Sequence, residues 1–274
     1  LDYTSQMFGV IKRFGNIDLF GLYDFTNIIS YVRKKGILEA FELLQVNDLL
    51  RACEYLKEYG KSISEPYIND LFDRINTNDF LRKEIERAIL SEDEIADNAS
   101  SALRNIRRQK DCKEQEIKIK LNSYVTNSKF DEILQDKVVS VRDGRYVVPV
   151  RTNKKSAIGG IIHDKSSSGN TIFVEPAAIV ELNNQFRDLE LKEEEEIRRI
   201  LDRLSRLTEA FDVEILENQK IMGRIDFLAA KAKYAINKGH SLPKITDGKI
   251  MSLKQARHPL LKGKVVPIHV AIGG

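Results

Sequence analysis

The chain has 274 residues, 42% of them hydrophobic and 31% charged, with a formal net charge of +3. That length suits one large domain or two small ones, and the apolar fraction is enough for a folded core. The near-balanced charge excludes a uniformly cationic nucleic-acid protein, so any basic patch must be local. Cys53 and Cys112 lie in unrelated segments, which argues against a disulfide framework or zinc site and for a reducing compartment, the cytoplasm. No apolar run reaches the ~18 residues of a membrane span, and no signal peptide is visible. The chain starts at Leu1 and ends in VAIGG, a strand that stops at a turn, so we expect a fragment of a longer protein.

In chain order, residues 1–75 read as several short helices. DFTNIISYVRKKG places Phe25, Ile28, Ile29 and Val32 at helical spacing, with Gly36 as a stop. The pattern continues through Leu43, Leu44, Val46, Leu49, Leu50, Cys53 and Leu56 and ends at Gly60. These helices are expected to pack as a base, and nothing in them points to chemistry. Residues 79–100 begin as a helix and meet an acidic break at 91–94. Asp97 or Asn98 then caps a helix over about 98–130, which carries Leu103, Ile106, Ile117, Leu121 and Tyr124.

From 137 to 176 the composition turns to β-branched residues, Gly and Ser, an island of strands between charged helices. VRDGRYVVPV reads as a hairpin with Asp143-Gly144 as a two-residue turn. Pro149 argues for an edge strand or a bulge. Pro176 sits where a first helical turn tolerates it. From there to about Asn237 only Gly223 interrupts a three-four apolar spacing that runs from Leu182 to Ile225, one face of a coiled coil. Some sixty helical residues span roughly 90 Å, so part of such a helix must protrude. Beyond it, KIMSLKQARHPLL and KVVPIHVAIGG alternate and read as strands around a RHPLL turn.

The chain is therefore expected to go out along one helix, turn through the strands, and return antiparallel along another. Pairing Phe130 with Ala177 and counting inward sets residue 112 opposite 195. The polar interruption of the outgoing helix, with Lys110 and Lys113, then faces the glutamates at 193–196. Exposed pairs of this kind contribute ~1 kcal/mol or less each and set register more than stability. The glutamates can equally serve the helix itself through Glu194–Arg198 and Glu195–Arg199 at i,i+4.

Within 137–176 stand seven cations, Lys137, Arg142, Arg145, Arg151, Lys154, Lys155 and Lys165, against three acids, Asp143, Asp164 and Glu175. A basic tip suits a phosphate backbone, which it would hold without reading bases. Gly159, Gly160 and Gly169 permit close backbone approach, and Ser166, Ser167, Ser168 and Thr171 offer hydroxyls. The bland reading is a small exposed sheet that uses Lys and Arg for solubility and edge protection, with Ile172 and Val174 on its inner face. His163-Asp164 beside the serines does not make a hydrolase triad, because neighbours on a strand point to opposite faces and no G-x-S-x-G elbow occurs. Asp164 is expected to pair with a local Lys or to cap the serine turn. His240, His258 and His269 have no metal-ligand spacing. No glycine loop followed by Lys-Ser or Lys-Thr is present, so no nucleotide hydrolysis is expected of this stretch.

VRDGRYVVPVR, GGIIHDKSSSGNTIFVEP and ELNNQFRDLELKEEEEI resemble the clamp and returning lever helix of the second bacterial MutS family, MutS-two. ILSEDEIADNASSALRNIRRQ resembles its outgoing lever, and QARHPLL with VVPIHVAIGG resembles the strands before its ATPase glycine loop. The resemblance covers most of the chain, is weakest over the first 75 residues and most specific over 141–184. It implies a MutS-type homodimer with core, lever, clamp and ATPase domains, which uses ATP and Mg and often carries a C-terminal Smr nuclease domain. It also implies association with branched DNA, restraint of homologous recombination and, for some members, a role at collided ribosomes.

The combined expectation is a mainly α fold: a helical core plus a long antiparallel two-helix coiled-coil lever with a small β clamp at its tip. The divisions are a helical core at 1–97, an outgoing lever helix at 98–136, a β-rich clamp at 137–176, a returning lever helix and core at 177–238, and strands at 239–274 that lead toward an ATPase domain. Arg145, Arg151, Lys154, Lys155 and Lys165 are the candidate contacts to DNA, branched or duplex. No catalytic, cofactor or metal residue and no membrane contact is expected in the fragment. The other functional reading is a ribosome- or protein-binding arm that offers an edge strand or apolar patch. A third makes the coiled coil a spacer or dimer strut.

Overall fold

Three-four apolar spacing produces helices over most of the chain, and the β-branched segments form small antiparallel sheets. The computed structural model describes residues 1–258, 260, 261 and 263–273. They divide into two units, one of residues 1–27, 48–79 and 211–274, the other of 28–47 and 80–210. Helices α2 (Thr26–Arg33) and α3 (Ala40–Gly60) contribute residues to both.

In the first unit α1 (Asp2–Phe14) packs on α8 (Asp212–Lys238) and on α4 (Pro66–Asp73). Met7, Phe25, Leu49, Leu50, Leu56, Ile68, Leu71 and Phe72 are fully buried. Asn218 is buried on α8 and spends its amide on one backbone residue: Oδ1 accepts from Asn76 N at 2.9 Å and Nδ2 donates to Asn76 O at 2.8 Å. Strands β7 (Met251–Ala256) and β8 (Ile268–Ile272) pair antiparallel. Pro259, in the predicted RHPLL turn, lies outside the described residues.

The second unit contains α5 (Asp79–Ala88), β1 (Ile89–Ser91), β2 (Glu94–Ile95), α6 (Ser101–Val125), β3 (Ser140–Arg142), β4 (Arg145–Arg151), β5 (Gly160–Lys165), β6 (Thr171–Pro176) and α7 (Val180–Glu209). Helices α6 and α7 pack side by side and antiparallel: Ser100 Oγ donates to Glu196 at 2.8 Å, while Ile117 and Leu121 share a buried cluster with Leu182 and Phe186. The 30 residues of α7 span about 45 Å. Near its C-terminus Ser205 Oγ accepts from Leu38 N at 2.8 Å, and Arg206 donates to the carbonyls of Val32 and Gly36. A Cβ at Gly36 would meet the exposed Tyr31 ring, which would have to swing aside. At the other end of α7 sits the four-stranded sheet.

Several expectations are corrected. The sixty-residue helix is two helices, α7 and α8, which belong to different units. The break is at Ala210 and Phe211, where Phe211 leaves helical geometry with φ −118° and ψ 21° and no Gly or Pro marks the spot. The acidic break at 91–94 is a hairpin turn between β1 and β2. The cap of α6 is Ser100, whose side chain accepts from Leu103 N at 2.9 Å, and Asp97 instead pairs with Arg107. Helix α6 ends at Val125, short of 130, because residues 127–134 close into turns with Asn127 Oδ1 accepting from Lys129 N.

The waist pairing forms, in a shifted register. Glu193 accepts from Lys110 and, at 2.8 Å, from Arg107 Nε, whereas Lys113 pairs with Glu116 on its own helix. The predicted count sets residue 114 opposite 193; Lys110 lies four residues away, about one turn. Glu195 pairs with Arg199 within α7 as well, at 2.7 Å.

Candidate nucleic-acid interface

The sheet that carries the candidate cations has the order β3-β4-β6-β5. Asp143 and Gly144 both adopt positive φ, 48° and 72°, the conformation a two-residue hairpin turn needs, and Arg142 pairs with Arg145 across it. Val148, Val150, Ile172 and Val174 point inward onto Ile117, Leu121, Ile179 and Leu182. On the other face the Arg142 guanidinium lies 4.0 Å above the Phe173 ring.

Pro149 sits in an inner strand, but past the end of the pairing of β4 with β3, which stops at Val147, and β4 carries no bulge there. Its carbonyl accepts from Gln135 N at 2.9 Å, on the side away from β6. Nitrogen and carbonyl of one strand residue point the same way, so the missing N–H costs no ladder bond to β6. The bulge is in β5, where the register slips between Ile162 and Asp164 at His163.

Four of the five candidate cations collect at one end of the sheet. Arg151 closes β4 and pairs with Thr171, and Lys165 closes β5 and pairs with Ile172. Lys154 and Lys155 stand exposed on the 3-10 turn Thr152–Ala157. Thr152 ties that turn to the β5–β6 hairpin: its N donates to Asn170 O at 3.0 Å and its Oγ1 to Gly169 O at 2.7 Å. Ser166, Ser167 and Ser168 lie in the same hairpin loop. Gly160 has another use than the expected approach to a ligand: a Cβ there would meet the Glu175 carbonyl of β6.

Arg145 is placed differently. It opens β4 at the opposite end, and its Nη1 donates to Asn184 Oδ1 at 2.6 Å and lies 3.4 Å from Glu175 Oε1. Glu175 is 1% exposed and the centre of a buried network. It also accepts from Asn183 Nδ2 at 2.7 Å, while its Oε2 is 2.5 Å from His163 Nε2. Asn183 in turn brackets Tyr146, accepting from its N and donating to its O. A carboxylate this deep is stable only with its acceptor capacity filled, as it is here. Sequence reasoning missed Glu175, Asn183 and Asn184; the available signal was a lone acid in a strand that otherwise reads apolar.

Two of the three acids of the sheet are engaged, and the third, Asp143, lies in the β3–β4 turn at the end opposite Arg151, Lys154, Lys155 and Lys165. Asp164 pairs with Arg142 at 3.2 Å, not with a lysine, and also accepts from Lys165 N. Glu175 holds Arg145, and Lys137 pairs with Asp131 at 2.8 Å. Among the described residues Arg151, Lys154, Lys155 and Lys165 have no ion-pair partner, though Arg151 Nε donates to Leu134 O at 3.2 Å. The result is a local excess of positive charge beside backbone and hydroxyl donors.

Among curated proteins, the chain is 38% identical over its whole length to Endonuclease MutS2 of Clostridioides difficile, 42% over its whole length to that of Ruminiclostridium cellulolyticum, and 40% over 98% of its length to that of Alkaliphilus oremlandii. The chain belongs to the MutS2 family. No protein-family profile matches it. It spans 35% of the length of these MutS2 relatives. Among the described residues of this MutS2 region no helix is long and apolar enough to cross a membrane, and no group of three His, Cys, Asp or Glu side chains could hold a metal ion.

Proposed function

We propose that this MutS2 region is a DNA-binding clamp on a lever, in which residues 137–176 grip the phosphate backbone and the antiparallel α6–α7 pair is the coiled-coil lever. The observation that carries this reading is the set of cations left unpaired at one end of the sheet: Arg151, Lys154, Lys155 and Lys165. Interactions of this kind give affinity and strong salt dependence with little sequence preference. Duplex and branched DNA both offer that surface. Arg145 drops out of the phosphate-binding set because Glu175 and Asn184 engage its guanidinium. The test is an electrophoretic shift against a four-way junction, with a control in which 137–176 is replaced by a short turn. Equal binding by the control removes the proposal.

One observation favours a second reading, a ribosome- or protein-binding arm. Edge strand β5 leaves Ile161 48% and Ile162 38% exposed, an apolar edge open to strand addition. Binding that persists at high salt, to ribosomes and not to DNA, would select it.

For the whole protein we propose a cytoplasmic homodimer that restrains homologous recombination, driven by ATP and Mg. The relatives' name supports an endonuclease activity in it. This region does not fit the nucleotide: no glycine loop followed by Lys-Ser or Lys-Thr occurs. No carboxylate cluster suited to the metal occurs among its described residues either. Both would be held elsewhere in the protein.

A further inference from the structure

Helix α8 carries a ridge of alternating cations and exposed rings. Lys220, Arg224, Phe227, Lys231, Tyr234 and Lys238 follow one another at alternating steps of four and three, so they form one line along the helix. The opposite side, with Ile221, Met222, Ile225, Leu228, Ala229 and Ala232, is buried. Phe227 is 63% exposed and Tyr234 49%. Between 220 and 238 there are five Lys or Arg and one acid, Asp226.

A merely solvated helix face matches its cations with acids one turn away. Helix α7 does so with Arg187–Glu190, Arg199–Glu195 and Arg206–Asp202. Among the described residues Lys220, Arg224, Lys231 and Lys238 form no ion pair. Arg224 and Lys231 instead lie over rings, Tyr3 at 4.2 Å and Phe227 at 5.1 Å. Each exposed ring has a cation on both sides, and the rings are seven residues apart, about 10 Å along the axis. A protein partner would call for a contiguous apolar face or charges of both signs. Alternating cations and flat rings fit a polyanion whose bases are free to stack, which a duplex is not. At the sheet no ring is similarly exposed, since Tyr146 is buried and Phe173 is only partly exposed.

We propose that this ridge is a second nucleic-acid site, specific for single strands, in which Lys220, Arg224, Lys231 and Lys238 hold phosphates and Phe227 and Tyr234 stack bases. The test is fluorescence anisotropy of a labelled thymidine 20-mer with the 274-residue chain carrying Lys154→Ala and Lys155→Ala, so that the sheet contributes little. Adding Phe227→Ala and Tyr234→Ala is expected to weaken binding about five-fold or more per ring, with the salt slope unchanged. Phe227→Tyr restores affinity, and Lys231→Gln with Lys238→Gln flattens the slope by about 0.7 for each phosphate no longer held. Duplex binding by the chain with its sheet lysines intact is unaffected by the ring changes. A ring variant with native circular dichroism that binds the strand like its parent overturns the proposal. So does a parent that does not bind the strand, or a ring effect equal on strand and duplex. Any of these results removes the single-strand site.

Discussion

Arg107 donates from Nε to Glu193 Oε1 at 2.8 Å, joining α6 to α7 across 86 residues of chain. Lys110 takes the other carboxylate oxygen. Burial by itself would raise the Glu193 carboxyl, but the hydrogen bonds and charges of Lys110 and Arg107 outweigh it and hold the group below its ordinary 4.5. A folded-state pKa below the unfolded one stabilises above 4.5 and stops doing so as pH falls through the folded value. Glu193→Gln is expected to cost about 1–2 kcal/mol at neutral pH, with the gap to the parent closing in acid. Urea titrations at pH 7 and pH 3 check this; a constant gap would refute it.

Glu175 makes a sharper prediction, because it is buried and holds three partners. Glu175→Leu strands the Arg145 guanidinium and the Asn183 amide, and is expected to cost about 3 kcal/mol. Glu175→Gln keeps an acceptor for Asn183 and is expected to cost less. Arg145→Ala should lower the melting temperature while leaving the DNA affinity of the folded protein within about two-fold. A large affinity drop at unchanged stability would return Arg145 to the phosphate-binding set.

Lys154 and Lys155 are the converse case. They are exposed and make no ion pair, so Lys154→Ala with Lys155→Ala should leave stability within about 0.5 kcal/mol. Affinity for duplex or junction DNA should fall, and the log–log salt slope should flatten by about 0.9 for each phosphate that is no longer neutralised. Affinities followed from low to moderate salt decide this, and an unaltered slope counts against the clamp.

The two thiols should behave oppositely. Cys53 is buried beside Met222, and burial, with a smaller contribution from Glu54, pushes its thiol up to about 12. Cys112 is exposed. A thiol reagent at pH 8 should label Cys112 in the native chain and Cys53 only on unfolding. The same shift favours the fold below the thiol's ordinary 9.0 and loses that contribution as pH rises toward about 12. Equal labelling rates would contradict the burial.

Much of the local structure was legible along the chain. Apolar spacing marked the helices of both units, Asp143-Gly144 marked the β3–β4 turn, and the opposite charges at Lys110 and Glu193 marked the waist. These features depend on residues a few positions apart, or on a count along two helices, and both are present in the sequence order. The excess of cations over acids between 137 and 176 was equally plain.

Which cations stay free is a different matter. Arg145 and Lys154 read alike in sequence, yet Arg145 meets a carboxylate 30 residues on, in Glu175, and Lys154 meets none. The break at Phe211, the one-turn slip at Glu193 and the inner position of Pro149 were likewise settled by packing. The physical reason is that a charge finds its partner, and a strand its neighbour, through space, where a distance of about 3 Å bears no relation to separation along the chain.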